Sequence, residues 1–411
     1  MSLILLVSCA KESNNDDYVS VNETFITESS YTRSYSEAEE CVNSSLLLLG
    51  GATKTDSREI ANGGCVTACR EAGNVKDTLF YYFNFADNAG FTIINANKKS
   101  DPFICITESG QFSDETGTGV PAVDEYLDNV KKELLRFPPG IGIIDDPDPL
   151  FPYSYTVTVY DGPYVNPLLT TKWGSTGVFG AFCQYGMSTG LVTAIAQIMA
   201  YHGQPSSFIL SLPAGSYPLG TTINLSWNNM KQHIRNHSTS QSCDNYHDLI
   251  SALYADIGFH AQINYFPNGC GYLNNLASSV FYHYGYTAGP LSAVNVSTIK
   301  YSLDCSKPVF MCGSDVGNYG QHAWVADGYK DYLVYRYTYA QDAPGLEYYL
   351  VDTLLIGEVH ALHINWGMQG DCDGYFNFNC YDMSNAVSYD EEGTYSYNFG
   401  NDLQMIAGIY Y

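Results

Sequence analysis

The sequence predicts an α+β protein in two parts, a small α+β unit followed by a larger one in which an antiparallel sheet packs around a central buried helix. Three observations carry that prediction. Strand-like alternation and helical spacing follow one another between residues 36 and 135, a Pro- and Asp-rich stretch without periodicity interrupts the chain at 138–149, and a segment near residue 195 is apolar nearly all round. At 411 residues, 45% of them hydrophobic, the chain is long enough for two or three domains with substantial cores.

The charge balance narrows the function classes. Lys and Arg number 18 against 43 Asp and Glu, for a net charge of −25, so a nucleic-acid partner is excluded for want of cations. Charged residues make up only 15% of the chain while Tyr alone contributes 36, a balance that suits a β-rich, extracytoplasmic protein.

From the N-terminus, the apolar run Leu3 to Val7, then Ser8-Cys9 and the polar stretch Ala10 to Asp17, resemble the end of a bacterial lipoprotein signal, truncated to residues 1–9. The resemblance implies acylation of Cys9, a tether over 10–29 and a secreted or cell-envelope location. No later segment reaches the roughly 18 apolar residues of a membrane span, so an acyl anchor is the membrane attachment expected.

The small unit is expected over 30–137. Ser36-Glu37-Ala38-Glu39 reads as a capping box, with Ser36 as N-cap and Glu39 three residues on, leading into a helix through Val42 and Leu46 to Leu49. Leu79 to Phe85 and Phe91 to Ala96 read as a hairpin turned by Asp87-Asn88-Ala89-Gly90, and Phe103 to Ile106 continues the sheet to a turn at Gly110. Val123 to Leu135 returns to helical spacing. Residues 138–161 read as a linker, and 162–411 as the second unit. Its most apolar segment, Gly190 to His202, has Ser188 and Thr189 as N-cap candidates and Gly203 as a stop. The remainder alternates like antiparallel strands, as at Pro308 to Met311, His322 to Ala326, Val359 to Asn365 and Gln404 to Ile409.

Of 12 cysteines, removing Cys9 leaves 12 − 1 = 11, an odd number that cannot pair completely. The short intervals Cys65/Cys69, Cys305/Cys312 and Cys372/Cys380 permit disulfides in an oxidising envelope, while buried unpaired thiols are the plainer reading for most. No C-x-x-C pair suggests zinc or redox chemistry, and neither a metal nor a cofactor is expected.

Several ordered motifs then converge. Thr171-Lys172-Trp173-Gly174, Gly186 to His202 with Ala196-Gln197-Ile198-Met199 inside it, Gln321-His322-Ala323-Trp324-Val325 with Asp327-Gly328-Tyr329, His363-Ile364-Asn365-Trp366-Gly367 and Asp373-Gly374-Tyr375-Phe376 closely resemble the streptopain family of papain-like cysteine proteases. The hairpin Phe83-Asn84-Phe85 through Gly90 to Ile94 resembles that family's inhibitory pro-domain of the Spi type. The resemblance runs from about residue 30 to the C-terminus. It implies a papain-like domain over 162–411, a zymogen whose own pro-domain sits in the cleft, and a peptide or protein as substrate or ligand.

Papain-like chemistry needs a thiolate at a helix N-terminus, a His to take and return its proton, a group to orient that His, and N–H donors for the oxyanion. The resemblance assigns the base to His322 and the orienting pair to Asn365 and Trp366. From the residues alone, His322 is as readily an ordinary core histidine and Asn365-Trp366 a turn with a packed aromatic. The family's helix reads Gly-Cys-Val-Ala-Thr-Ala-x-Ala-Gln-Ile-Met. Counting back from Gln197 without a gap puts Gly190 where the family has its cysteine, and a slip of one residue puts Leu191 there. Neither is a nucleophile. The family's oxyanion Gln, in Trp-Gly-Gln, is matched by Ser175, and its Asn-Trp-Gly-Trp-Gly-Gly becomes Asn365-Trp366-Gly367-Met368-Gln369-Gly370. Cys183 matches a structural cysteine of the family. The resemblance therefore points to a catalytically impaired member, with a working endopeptidase and a structural surface adhesin as alternatives.

Overall fold

The computed structural model describes residues 32–50, 58–69, 76–98, 102–136, 154–235, 245–267, 269–271, 274–314, 321–340, 349–377 and 403–411. The signal with Cys9, the tether and the Pro/Asp-rich stretch lie outside the described residues. Among the described residues no helix is long and apolar enough to cross a membrane.

The N-terminal part runs α1 (Tyr35–Gly50), β1 (Ile60–Cys69), β2 (Lys76–Phe85), β3 (Phe91–Asn95), β4 (Phe103–Thr107) and α2 (Pro121–Arg136). The expected hairpin is β2–β3, and its turn places Asp87, Asn88 and Gly90 at positive φ. The capping box lies two residues earlier than expected. The amide of Ser34 donates to Glu37 Oε2 at 2.6 Å and the amide of Glu37 donates to Ser34 Oγ at 3.2 Å, so Ser34 and Glu37 make the pair assigned to Ser36 and Glu39. Tertiary packing selects this frame. Tyr35 then sets its ring 6.0 Å from Tyr81 and 5.1 Å from Phe83, on the face that also buries Ala38, Val42 and Leu46.

The rest of the chain runs β5 (Ser154–Asp161), β6 (Tyr164–Val165), α3 (Gly190–His202), β7 (Ser207–Ile209), β8 (Thr222–Asn224), α4 (Trp227–Arg235), α5 (Asn245–His260), β9 (Asn264–Phe266), β10 (Gly269–Gly271), α6 (Ala277–His283), β11 (Ser292–Ala293), α7 (Val296–Asp304), β12 (Val309–Ser314), β13 (Gln321–Ala340), β14 (Tyr349–Asn365), β15 (Gly374–Asn377) and β16 (Gln404–Ile406). Two features differ from the expectation. Four helices, α4 to α7, occupy the 227–304 region, where strand-like alternation had been the general reading. The end of the stretch read as linker is also a strand, β5, antiparallel to the far half of β13. Its Tyr155/Val157/Val159 alternation was the unused signal.

One sheet organises the molecule in the order β1-β2-β3-β4-β15-β14-β13-β12-β16-β11, with β5 and β6 also on β13. It passes from the N-terminal part to the C-terminal part without a break, because β4 pairs antiparallel with β15, Ile106 opposite Tyr375. Side chains cross the same boundary. Phe80, Phe91, Leu127 and Val130 share one apolar cluster with Trp324, Trp366 and Phe376, and Tyr126 meets Phe376 edge-on at 5.3 Å. A second cluster surrounds α3, whose residues Gly190 to Ala200 are all buried. α3 packs against β12 and β13, with Gly190 at its N-terminus facing His322 and Ala323 of β13.

Candidate active site

The start of α3 is set by a cap. Thr189 stays extended and its hydroxyl accepts from the Val192 amide at 3.2 Å, while Gly203 ends the helix at φ 66. Gly190 is thus the first helical residue, and Leu191, the other candidate position, is fully buried in the cluster around α3. Opposite Gly190 lies β13. A Cβ built on Gly190 would fall 2.7 Å from the carbonyl oxygen of Ala323 and 2.8 Å from both Cε1 and Nδ1 of His322. The imidazole occupies the space in which a side chain at 190 would begin.

His322 is part-exposed, and its Nε2–H donates to the Trp366 carbonyl at 3.0 Å. A carbonyl only accepts, so Nε2 carries the proton and Nδ1 is the bare nitrogen facing Gly190. Burial pushes the His322 pKa down to about 4, against a smaller opposing effect of the Trp366 bond, so the ring is neutral at pH 7. It stacks at 19° over Trp324, which packs on Trp366. No described cysteine sulfur hydrogen-bonds to it. Cys183 is buried in the α3 cluster.

Asn365, the last residue of β14, makes no bond to His322. Its Nδ2 donates to the Thr171 carbonyl at 3.0 Å, and its Oδ1 accepts from Gln197 Nε2 at 2.9 Å and from the Gly367 amide at 3.0 Å. Gln197, fully buried on α3, also accepts the Trp173 amide through Oε1 at 3.2 Å. One side chain therefore ties α3, the 171–173 segment and the end of β14 together. The sequence quoted Gln197 within a motif without giving it this role. Gln197→Leu strands the Trp173 N–H and leaves the Asn365 oxygen only the Gly367 amide, and should cost about 2 kcal/mol in urea unfolding; a cost below roughly 0.5 kcal/mol would dismiss the clamp.

Ser175 is part-exposed beside this segment, with its carbonyl accepting from the Ser188 amide at 2.8 Å. A different amide lies nearby. A Cβ on Gly174 would fall 2.6 Å from Gln369 Cγ and 3.3 Å from its Nε2, so Gln369 covers the backbone next to Ser175.

Beneath Asn365 is a charged group that the sequence reading missed. The register of β13 on β14 shifts between Ala326 and Gly328, and Asp327 is the extra residue. Its Oδ1 meets His363 Nδ1 at 2.6 Å and its Oδ2 accepts the Leu169 amide at 2.9 Å. His363 Nε2 reaches Glu108 of the N-terminal part at 3.3 Å, and Lys172 stands 3.4 Å from the same carboxylate. Burial opposes charge on His363, but the Asp327 and Glu108 carboxylates outweigh it and raise its pKa to about 10. The bond from His363 is the main reason Glu108 falls to about 2, whereas burial lifts Asp373, which accepts the Trp366 amide at 2.8 Å, to about 7. Asp327, His363 and Glu108 are brought together by the fold and not by any spacing in the sequence.

A buried helix whose N-terminus faces a strand-borne histidine, beside an Asn-Trp turn on the next strand, is the framework of the papain-like cysteine proteases. Residues 173–376 match the model of the Peptidase C10 family. Streptopain of Streptococcus pyogenes serotype M28 is 23% identical over 344 residues, 76% of this chain and 77% of its own, and streptopain of serotype M1 is 23% identical over 343. A solved fragment of Prevotella intermedia prointerpain A has the same fold, with a TM-score of 0.50 at 21% identity over 84% of this chain and 99% of that one. The chain is thus similar to the streptopain-like, papain-like cysteine proteases, and residues 173–376 carry the likeness to the Peptidase C10 family.

Proposed function

We propose that this chain keeps the architecture of a streptopain-like cysteine peptidase without its covalent chemistry, acting as a pseudoprotease that binds peptide segments. In this reading His322, Asn365 and Trp366 are the retained base and orienting pair, Gly190 and Ser175 are the substituted nucleophile and oxyanion positions, and residues 30–137 are an attached inhibitor-like pro-domain. Cys9 would hold the protein to a bacterial cell envelope through an acyl chain.

The observation that supports it is the contact at Gly190. The first residue of the helix whose N-terminus would lower a thiol's pKa carries no side chain, and the imidazole that would take its proton fills the space where a Cβ would sit. Without a nucleophile no acyl-enzyme forms, and with Ser175 in place of an amide the oxyanion is served by one donor fewer. Casein hydrolysis by the full chain at pH 7 should be indistinguishable from a protein-free blank and unchanged by iodoacetamide, while labelled casein peptides still bind. Hydrolysis that iodoacetamide abolishes would restore the working-endopeptidase reading, and absence of peptide binding would favour the adhesin.

A further inference from the structure

Away from the cleft, the ends of α5 and α6 bring together Asp256, His260 and His283. Asp256 and His260 are one helical turn apart on α5, and their Oδ2 and Nε2 atoms stand 3.7 Å apart. His283 ends α6, and its ring stacks on that of His260 with centroids 3.5 Å apart at 29°. One ligand atom from each of the three lies within 4.8 Å of the others. We propose that these three residues form a binding site for a zinc-class divalent cation, independent of whether the cleft is catalytic.

Ligand chemistry and geometry both support this. Two imidazoles and one carboxylate are a donor set that zinc and its neighbours Co²⁺ and Ni²⁺ favour over Mg²⁺ and Ca²⁺, which take oxygen. Zinc bonds of about 2.0–2.1 Å set tetrahedral ligand atoms roughly 3.3 Å apart, so the Asp256–His260 pair is already near its bound spacing. His283 has to turn out of its stack on His260 and close by up to about 1.5 Å, a movement open to an exposed side chain.

The surroundings hold the carboxylate in place. Asp256 is fully buried, its Oδ1 accepting from the Ser211 amide at 2.6 Å and its Oδ2 from the Tyr284 hydroxyl at 2.6 Å. Fixed outer partners of this kind orient a metal-binding carboxylate. Ser211 Oγ stands 2.8 Å from His260 Nε2, so binding exchanges that hydrogen bond for a metal bond and leaves the hydroxyl beside the ion. Three protein ligands leave a fourth position open to water. Burial falls from Asp256 through His260 to the exposed His283, which gives an ion a path in, and a net charge of −25 concentrates cations around the molecule. A bound ion would join the end of α5 to the end of α6, and both helices contact α3.

The test uses the full chain stripped with EDTA and desalted. Zn²⁺ should raise its Tm by several degrees, Mg²⁺ should not, and Co²⁺ should give the intense visible absorption of tetrahedral coordination. His283→Gln, at an exposed position, should fold with an unchanged metal-free Tm, lose the Co²⁺ band and weaken Zn²⁺ binding by at least roughly tenfold, the lower end of what losing even an outer-shell partner costs. Asp256→Asn, which keeps the shape of the buried side chain, should act in the same direction. Equal Zn²⁺ affinity in wild type and His283→Gln, or a wild type with neither a zinc-dependent Tm shift nor a Co²⁺ band, would overturn the assignment.

Discussion

Replacing Asp327 by Ala should cost about 3–5 kcal/mol of folding stability, the scale for removing one partner of a buried ion pair. Asp327 and His363 are both buried and bonded at 2.6 Å, and the same carboxylate holds the Leu169 amide that leads into the 171–175 segment. Asp327→Asn should cost less, because an amide oxygen can still accept from Leu169, and the difference between the variants measures the charge. The pH dependence carries the same signature. His363 rises from 6.5 to about 10, so its contribution is full below pH 6.5 and is lost as pH climbs toward 10. Glu108 falls from 4.5 to about 2, so its share is full above pH 4.5 and is lost on further acidification. Asp373 rises from 3.8 to about 7, which favours the fold on the acid side of that window. Urea midpoints should therefore peak between about pH 4.5 and 6.5 in the wild type, and the decline above pH 6.5 should flatten in Asp327→Ala. A loss under about 1 kcal/mol with an unchanged pH profile would mean that His363 is neutral and the network ordinary.

Installing a thiol by Gly190→Cys together with Ser175→Gln should not produce a working peptidase in the full chain. If only the sulfur were missing, the double variant would cleave its own linker. The geometry opposes this, because the new Cβ falls 2.7 Å from a backbone oxygen, which cannot rotate away, as well as 2.8 Å from the His322 ring. Either β13 retreats from α3 or the imidazole leaves its bond to Trp366, and overpacking of this kind costs about 1–3 kcal/mol. Gly190→Ala isolates the steric part and should show that loss alone, with the His322 proton resonances displaced. Self-cleavage of the double variant at a rate set by its new thiol would show that the contact at residue 190 yields readily and that the sulfur was the one missing part.

Local chemistry made much of the scaffold legible. The β2–β3 hairpin follows from Phe and Tyr runs around Asp87-Asn88-Ala89-Gly90, and α3 from its apolar run between Thr189 and Gly203, because propensity, pattern and cap agree in both. The start of α1 was misplaced because two overlapping Ser-x-x-Glu pairs compete locally and the choice between them is made by Tyr81 and Phe83, far away in sequence. Helices such as α5 escaped notice because Ile250, Leu253, Tyr254 and Ile257 are buried on several sides and give little amphipathic contrast. The motif named Gly190, His322 and Asn365 and gave Asn365 the task of orienting His322, whereas in the structure His322 bonds to Trp366 and Asn365 to Gln197. Glu108 with His363, and Asp256 with His283, are brought together by the fold across 255 and 27 positions, so no spacing rule joins them.

The hydrogen-bonded seam between β4 and β15 bears on what a cut between the two halves of the chain would do. Proteolysis there would sever one covalent strand and leave the ladder, the shared aromatic cluster and the Glu108 contacts to hold the pieces as a two-chain particle. Stripped of its first half, the remainder would present the outer edge of β15 as an unpaired template, open to a strand from any neighbouring molecule. Solubility is then a reason for the first half to stay in place.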